Sequence, residues 1–274
     1  MGIDKARPIR PFLKWAGNKY RILHQIQKLL PTGERLVEPF AGSGAVFLNT
    51  EFDDYLLCDS NRDLIDLYQQ LKRRGQKFID ECQTYFQPKY NDETQYYRLR
   101  DRFNQTDDRT ERAILFLYLN RHGYNGLCRY NASGGFNVPF GRYKRPYFPE
   151  LEMRLFREKA RQASFRHQVF EKTFSGAETG DVIYCDPPYV PLSASSNFTN
   201  YSAGGFTLQQ QKTLVDVAKA TAAKGIPVLI SNHHTEFTNT HYHEAQLETF
   251  FVQRYISGNG QKRDKAGEVL ALFA

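Results

Sequence analysis

A chain of 274 residues with 41% hydrophobic and 14% aromatic content has ordinary globular composition, so disorder is not the default, and it is long enough for one large α/β domain or for one domain carrying an insertion. Lysine and arginine outnumber aspartate and glutamate by 37 to 30, which favours a polyanionic partner, with nucleic acid first among the candidates. The four cysteines (Cys58, Cys82, Cys128, Cys185) form no CxxC pair and no apolar run reaches the length of a membrane span, so a zinc site, a disulfide framework and a membrane anchor are all disfavoured.

Met1 to Pro11 carries no signal-peptide core, so the chain is expected in the cytoplasm, nucleoid-associated when bound to DNA. Residues 1–35 are basic: Lys5, Arg7, Arg10, Lys14, Lys19, Arg21, Lys28 and Arg35 stand against only Asp4 and Glu34. Ile22, Leu23, Ile26, Leu29 and Leu30 follow helical spacing, and Pro31-Thr32-Gly33 stops that helix. Arg35 to Phe40 reads as a short buried strand leading into Gly42-Ser43-Gly44. Tyr55 to Cys58 reads as a second strand ending at Asp59. Asn61 can cap a helix with the apolar stripe Leu64, Ile65, Tyr68 and Leu71.

From 62 to 149 helices dominate, over 93–104 and 109–121, followed by a Gly/Asn/Tyr-rich stretch ending at Pro149. Between Glu111 and Glu150 there is no acidic residue. Arg112, Arg121, Arg129, Arg142, Lys144 and Arg145 alternate there with Tyr118, Tyr124, Tyr130, Tyr143 and Tyr147, the pattern of a surface that meets phosphates. Lys144 and Arg145 are expected to do so. Strands return at Val182–Cys185 and Pro227–Ser231, with a helix capped by Thr207 between them and a hairpin near 247–256 and 267–273. Cys58 and Cys185 close apolar runs and are expected as buried thiols. His233 and His234 have no carboxylate or cysteine at ligand spacing and read as loop residues, so no metal is expected. The whole reads as α/β with a mainly parallel sheet, a C-terminal antiparallel hairpin and a mostly helical insertion: 1–61 with 150–274 as one unit, 62–149 as the other.

Two motifs carry chemistry. Phe40-Ala41-Gly42-Ser43-Gly44 follows a strand and opens a helix, where glycines let the backbone approach a nucleotide. Asp59, at the end of the next strand, can take both ribose hydroxyls, although a dinucleotide dehydrogenase could use the same pair. Asp186-Pro187-Pro188-Tyr189 follows a buried strand. Its prolines remove two amide donors and leave carbonyls free to accept. A carboxylate and a proline carbonyl can then take the two hydrogens of an aromatic amine, favouring a more pyramidal nitrogen, while Tyr189 offers a stacking face.

The chain resembles the Dam family of DNA adenine methyltransferases along nearly its whole length. The matching stretches are Phe12 to Gly17, Glu38 to Gly44, Asn120-Arg121 with Tyr124 to Asn131, Phe136 to Tyr143, and Asp186 to Tyr189 with Pro191-Leu192-Ser193. The amine motif is shared by many amino-methyltransferases; the Tyr124–Tyr143 region is more particular to Dam. The resemblance implies a Rossmann-like methyltransferase fold whose insertion recognises DNA. It also implies S-adenosylmethionine as cofactor, S-adenosylhomocysteine as product, and duplex DNA as partner.

It places Trp15, Lys19, Phe40, Gly42, Gly44, Asp59 and Asp186 at the cofactor, with Asp186, Pro187 and Tyr189 catalytic. Lys14, Arg129 and Tyr143 look like base-reading positions, Leu127 and Pro139 like contacts to a thymine methyl, and Tyr124 and Asn125 like residues that wedge into the duplex. Transfer is expected to be direct, to a flipped adenine within GATC, by a monomer. Asn18 and Ser43 depart from common family choices. Two rivals retain part of this pattern: an amino-methyltransferase acting on RNA or cytosine, and a DNA-binding regulator without catalysis. The 112–149 segment opposes the first, and the intact Asp186 to Tyr189 motif opposes the second.

Overall fold

The central strands carry apolar side chains on both faces, which requires a layer of helices on each side. The computed structural model, which describes residues 8–191, 205–253 and 265–274, has this arrangement. Lys5, Arg7, Leu192, Ser193 and the 254–256 end of the expected hairpin lie outside the described residues. In chain order the first elements are α1 (Leu23–Leu29), β1 (Arg35–Glu38), α2 (Ala45–Leu48), β2 (Asp54–Asp59), α3 (Arg62–Arg74), α4 (Gln76–Gln83), α5 (Glu93–Gln105) and α6 (Arg109–His122). They continue as α7 (Glu150–Lys159), β3 (Ala163–His167), α8 (Phe170–Ser175), β4 (Asp181–Cys185), α9 (Leu208–Ala222), β5 (Val228–His233), α10 (Glu236–His241), β6 (Gln246–Gln253) and β7 (Lys265–Phe273).

These strands form one sheet in the order β3-β2-β1-β4-β5-β7-β6. The first five are parallel, β7 is antiparallel to β5, and β6 is antiparallel to β7. The expected mainly parallel sheet with a C-terminal antiparallel pair is therefore present, with one difference: the later strand of that pair lies inside and the earlier one forms the edge. Leu36, Tyr55, Leu57, Val182, Tyr184 and Leu229 face one core. Val37, Leu56, Cys58, Ile183, Cys185 and Ile230 face the other, closed by Phe170 and Phe174 of α8 and Leu214, Val215 and Ala218 of α9. The first core continues without a break into the stretch between β2 and β3, where Tyr68, Phe103, Phe116, Phe136 and Phe156 join it. All four cysteines are buried free thiols. His233 is a strand residue, not a loop residue, because β5 runs two residues further than the expected strand end at Ser231.

Helix starts follow the sequence closely. The Asn61 side chain accepts from the Leu64 amide at 3.1 Å, and Thr207 with Gln210 forms a reciprocal capping box on α9. At the far end of α6, His122 is fully buried. Its ring stacks on Tyr118 with centroids 4.1 Å apart, its Nδ1 donates to the Tyr118 carbonyl at 3.0 Å, and its Nε2 has no partner.

Burial pushes the His122 imidazole down to about 4, a shift that the Tyr118 carbonyl opposes and that Lys14 and Arg121 reinforce. The folded chain thus keeps a neutral ring where the unfolded chain, near its ordinary 6.5, gains a proton. This contribution is fully present above 6.5 and is lost as pH falls from 6.5 towards 4, by up to about 3 kcal/mol. His122→Phe should flatten that loss: urea unfolding at a series of pH values should show the variant gaining on the parent from pH 7 to pH 4. Two parallel stability curves would refute the assignment.

Candidate active site

The strand order reverses between β1 and β4, and open α/β sheets bind ligands in the crevice at the carboxyl edge of such a switch point. The glycine loop leaves β1 there. Gly42 and Gly44 hold φ of 47° and 71°, and a Cβ on Gly42 would stand 3.1 Å from the Trp15 indole nitrogen, so the turn and the close approach both require glycine. The Gly42 amide donates to Asp59 Oδ2 at 3.1 Å and the Asn61 amide to Oδ1 at 2.8 Å, tying the loop to the end of β2. Burial pushes the Asp59 carboxyl up, and these amides, Asn61 first, oppose the shift. Phe40 stacks on Phe170 with centroids 5.5 Å apart and meets Phe206 edge-on at 5.7 Å.

β4 delivers the second motif. Asp186 Oδ1 takes an ion pair from Lys19 Nζ at 2.7 Å and a hydrogen bond from Ser231 Oγ at 3.1 Å. Burial pushes the Asp186 carboxyl up, and the Lys19 ammonium opposes this most strongly. The same ammonium lies 4.4 Å from the centre of the Tyr189 ring. Gln211 Nε2 donates to the Pro188 carbonyl at 2.6 Å. Among the described residues no donor reaches Asp186 Oδ2 or the Pro187 carbonyl. Two open acceptors therefore stand side by side in sequence at the strand end.

These parts enclose a cleft of about 610 Å³, lined by Trp15, Lys19, Phe40, Asp59, Asp186 and Tyr189 among others. Glu38, part of the Glu38 to Gly44 stretch but not among the expected site residues, is 3% exposed beside this cleft, and its Oε1 has no partner among the described residues. Burial pushes its carboxyl up to about 8; the Phe47 amide opposes this and the Asp186 carboxylate adds to it. A carboxyl at the end of β1, directly after the buried Leu36 and Val37, was the available signal. Asn18 caps the turn before α1, its Oδ1 accepting from the Tyr20 amide at 2.8 Å. Among the described residues no cluster of His, Cys, Asp or Glu could hold a metal, and no helix is long and apolar enough to cross a membrane.

Apart from Lys14, the positions expected at DNA lie on the loops that include Tyr130 and Gly134, which themselves line the cleft. Lys14 Nζ sits 3.8 Å above the Tyr143 ring and donates to the Arg121 carbonyl at 3.3 Å, while the Lys14 backbone is held by Asn120. Tyr124 is exposed, Asn125 holds a left-handed φ of 52°, and the Tyr124 amide donates to the Pro139 carbonyl at 2.8 Å. Leu127 is half-buried and Pro139 is exposed. Arg129 is exposed, with Nε on Asn137 Oδ1 at 2.8 Å and Nη2 on the Asn137 carbonyl at 3.1 Å. Lys144 and Arg145 are exposed and unpaired with any acid among the described residues.

Two other basic residues of the acid-free stretch are balanced from elsewhere in the fold. Arg112 pairs with Asp63 at 2.5 Å and Arg142 with Glu93 at 3.2 Å. The Tyr130 hydroxyl donates to Asp63 at 2.7 Å, and Asn61 Nδ2 reaches Cys128 Sγ at 3.4 Å. This loop is thereby fastened to the start of α3.

Residues 15–255 match the family model for D12 class N6 adenine-specific DNA methyltransferases. The chain is 53% identical over 265 residues to the DNA adenine methylase of Vibrio cholerae, a match covering 96% of each. It is 52% identical to the DNA adenine methylase of Escherichia coli K12, covering 96% of this chain and 95% of that protein. With the Serratia marcescens DNA adenine methylase it shares 49% identity, over 96% of this chain and 98% of the other.

Gly126 backs directly onto Lys14: at its φ of 63°, an added Cβ would come within 2.2 Å of the Lys14 Cβ. Gly126→Ala should therefore cost at least about 1 kcal/mol from the left-handed backbone alone, with more from displacing Lys14. Urea unfolding measures it; an unchanged midpoint would mean that the loop relaxes freely away from Lys14.

Proposed function

The chain belongs to the D12 class of N6 adenine-specific DNA methyltransferases, and from that premise we propose that it transfers a methyl group from S-adenosylmethionine directly to a flipped adenine within GATC. Membership answers the sequence-level rivals, since the class acts on DNA and on adenine. One observation carries the proposal for the reaction: the two open acceptors, Asp186 Oδ2 and the Pro187 carbonyl, at the switch point of the sheet.

The cleft suits such a cofactor by its chemistry. Asp59 offers acceptors for ribose hydroxyls, Phe40 an aromatic wall, and Glu38 a buried carboxyl whose open oxygen an approaching ammonium group would hold ionised. Trp15, Lys19, Gly42 and Gly44 complete its walls. When bound, the cofactor supplies an electrophilic methyl group on a sulfonium centre. Asp186 and the Pro187 carbonyl accept the two amine hydrogens and so fix the nitrogen with its lone pair directed out of the ring plane. Lys19 holds Asp186 against the burial that would protonate it, keeping the carboxylate an acceptor. Tyr189 lends its ring as the stacking face for the extruded base.

On the DNA side, residues 62–149 act as the target-recognition unit and 1–61 with 150–274 as the catalytic unit. Lys14 and Tyr143 read bases as the stacked pair that they already form. Leu127 and Pro139 meet thymine methyls, Tyr124 and Asn125 occupy the vacated stack, and Lys144 with Arg145 grips phosphates. Asn137 holds the Nε side of Arg129, leaving the Nη1/Nη2 edge, whose two N–H groups match the two acceptors of a guanine in the major groove.

Asp186→Ala should lower methyl transfer by ~10²–10³ while duplex binding stays near that of the parent. Incubation with cofactor and plasmid, followed by mapping of methylated adenines, tests the target and the residue together; turnover like the parent's would overturn the catalytic assignment. For Arg129→Ala, rates on duplexes substituted at each base pair in turn should fall strongly on GATC and little on sites changed at one outer pair, a loss of discrimination of about 1–3 kcal/mol. Equal slowing of every substrate would make Arg129 a phosphate anchor instead.

A further inference from the structure

Tyr189 is held from two strands that lie beyond its own motif. β5 and β7 pair antiparallel with His233 opposite Glu268, and the Tyr189 ring sits against both of these residues. The Tyr189 hydroxyl donates to Glu268 Oε2 at 3.3 Å. The His233 ring meets the tyrosine edge-on, with centroids 4.6 Å apart and planes at 79°. His233 is itself fixed, its Nδ1 donating to the Val190 carbonyl at 2.7 Å, and the Val190 amide donates to Asn232 Oδ1 at 2.9 Å. The backbone next to Tyr189 and one side of its ring are thus anchored. Rotation of the ring about its side-chain torsions is opposed by the Lys19 ammonium over its face, by the His233 edge and, at the end of the longest lever, by the contact of the hydroxyl tip with Glu268.

We infer that Glu268 is a positioning residue: by accepting from the Tyr189 hydroxyl it sets the plane of the ring on which the adenine stacks. The inference rests on the reading of Tyr189 as the stacking face. A carboxylate suits this task because it only accepts, so the phenol proton has one direction to point, and the bond is of the charge-assisted kind. Its place on β7 suits it too, because both neighbours of that strand fix its height relative to the end of β4. A ring tilted out of plane would misplace the amine against Asp186 and Pro187, and small misplacements of reacting groups are costly in rate.

The test is single-turnover methylation of a duplex by parent, Glu268→Ala, Glu268→Gln, Tyr189→Phe, Tyr189→Ala and the Tyr189→Phe/Glu268→Ala double variant, with thermal midpoints as a folding control. Glu268→Ala should slow transfer on the order of tenfold, Tyr189→Phe by a similar factor, and Glu268→Gln, which keeps an acceptor, by less than about threefold. In the Tyr189→Phe background, Glu268→Ala should add less than about a twofold loss. With 2-aminopurine at the target position, Glu268→Ala should change the fluorescence of the bound base, which a merely structural role would leave alone.

Tenfold slowing by Glu268→Ala in both backgrounds overturns the inference, as does a parental rate for Tyr189→Phe, a variant that removes only one hydroxyl and so serves even if Glu268→Ala does not fold. If Tyr189→Ala is slow while Glu268→Ala is not, the stacking reading stands and only the role of Glu268 falls. A parental rate for Tyr189→Ala removes both.

Discussion

Parallel pairing of β1 with β4 sets the geometry on which everything else depends. It joins two strands far apart in the chain, with Leu36 opposite Val182 and Val37 opposite Ile183, and so carries the glycine loop and the Asp186 turn to one edge of the sheet. Three carboxyl groups, Glu38, Asp59 and Asp186, then lie buried along one cleft, where burial pushes each of them up. Such a concentration of acid is costly without compensation. Lys19 compensates Asp186, and the amides of Gly42 and Asn61 compensate Asp59; Glu38 keeps an oxygen without a partner. The site therefore stores electrostatic demand, which a cationic ligand with hydroxyl donors would relieve.

Legibility in the sequence followed burial. Val182–Cys185 could be read as a strand because both of its faces meet a core, and α3 and α9 because Asn61 and Thr207 announce their first turns. β3 escaped notice because it lies at the sheet edge, where Ala163 and Phe165 alternate with exposed Ser164 and Arg166 and give only two apolar points. Part of its backbone is satisfied by side chains from α3, since Gln69 and Lys72 donate to the carbonyls of Phe165 and Ala163. α4 escaped because it starts directly after Gly75, at a φ of 58°, and buries only Phe78, Ile79 and Cys82. Within the site, the motif residues were visible because their types are unusual in their places. The roles of Ser231, His233 and Glu268 were not, because their relevance comes from cross-strand register and from contacts with residues far away in the chain.

Charge was the signal most easily misread. An acid-free run in sequence is not an acid-free surface, because α3 and α5 lend Asp63 and Glu93 to Arg112 and Arg142. The Asp63 pair has a structural consequence, since the same carboxylate accepts from Tyr130, and Asn61 beside it reaches Cys128. The loop that carries Cys128 and Tyr130 and the strand end that carries Asp59 are thereby built on the same few residues. The continuous core on that face of the sheet makes the same point at larger scale: the helical insertion has no separate interior of its own.

The position of β7 bears on the order in which the molecule can be assembled. Although it follows every other described strand in sequence, it lies between β5 and β6, and it supplies Val269 and Ala271 to one core and Leu270 to the other. Until Lys265–Phe273 have been synthesised, β5 and β6 each lack the neighbour that satisfies their hydrogen bonds, and the sheet remains two pieces. Domains form from their N-terminal parts first as a chain emerges from the ribosome. The glycine loop and the Asp186 turn can therefore exist on a nascent chain well before the wall behind Tyr189 does, and the arrival of β7 is what closes the site.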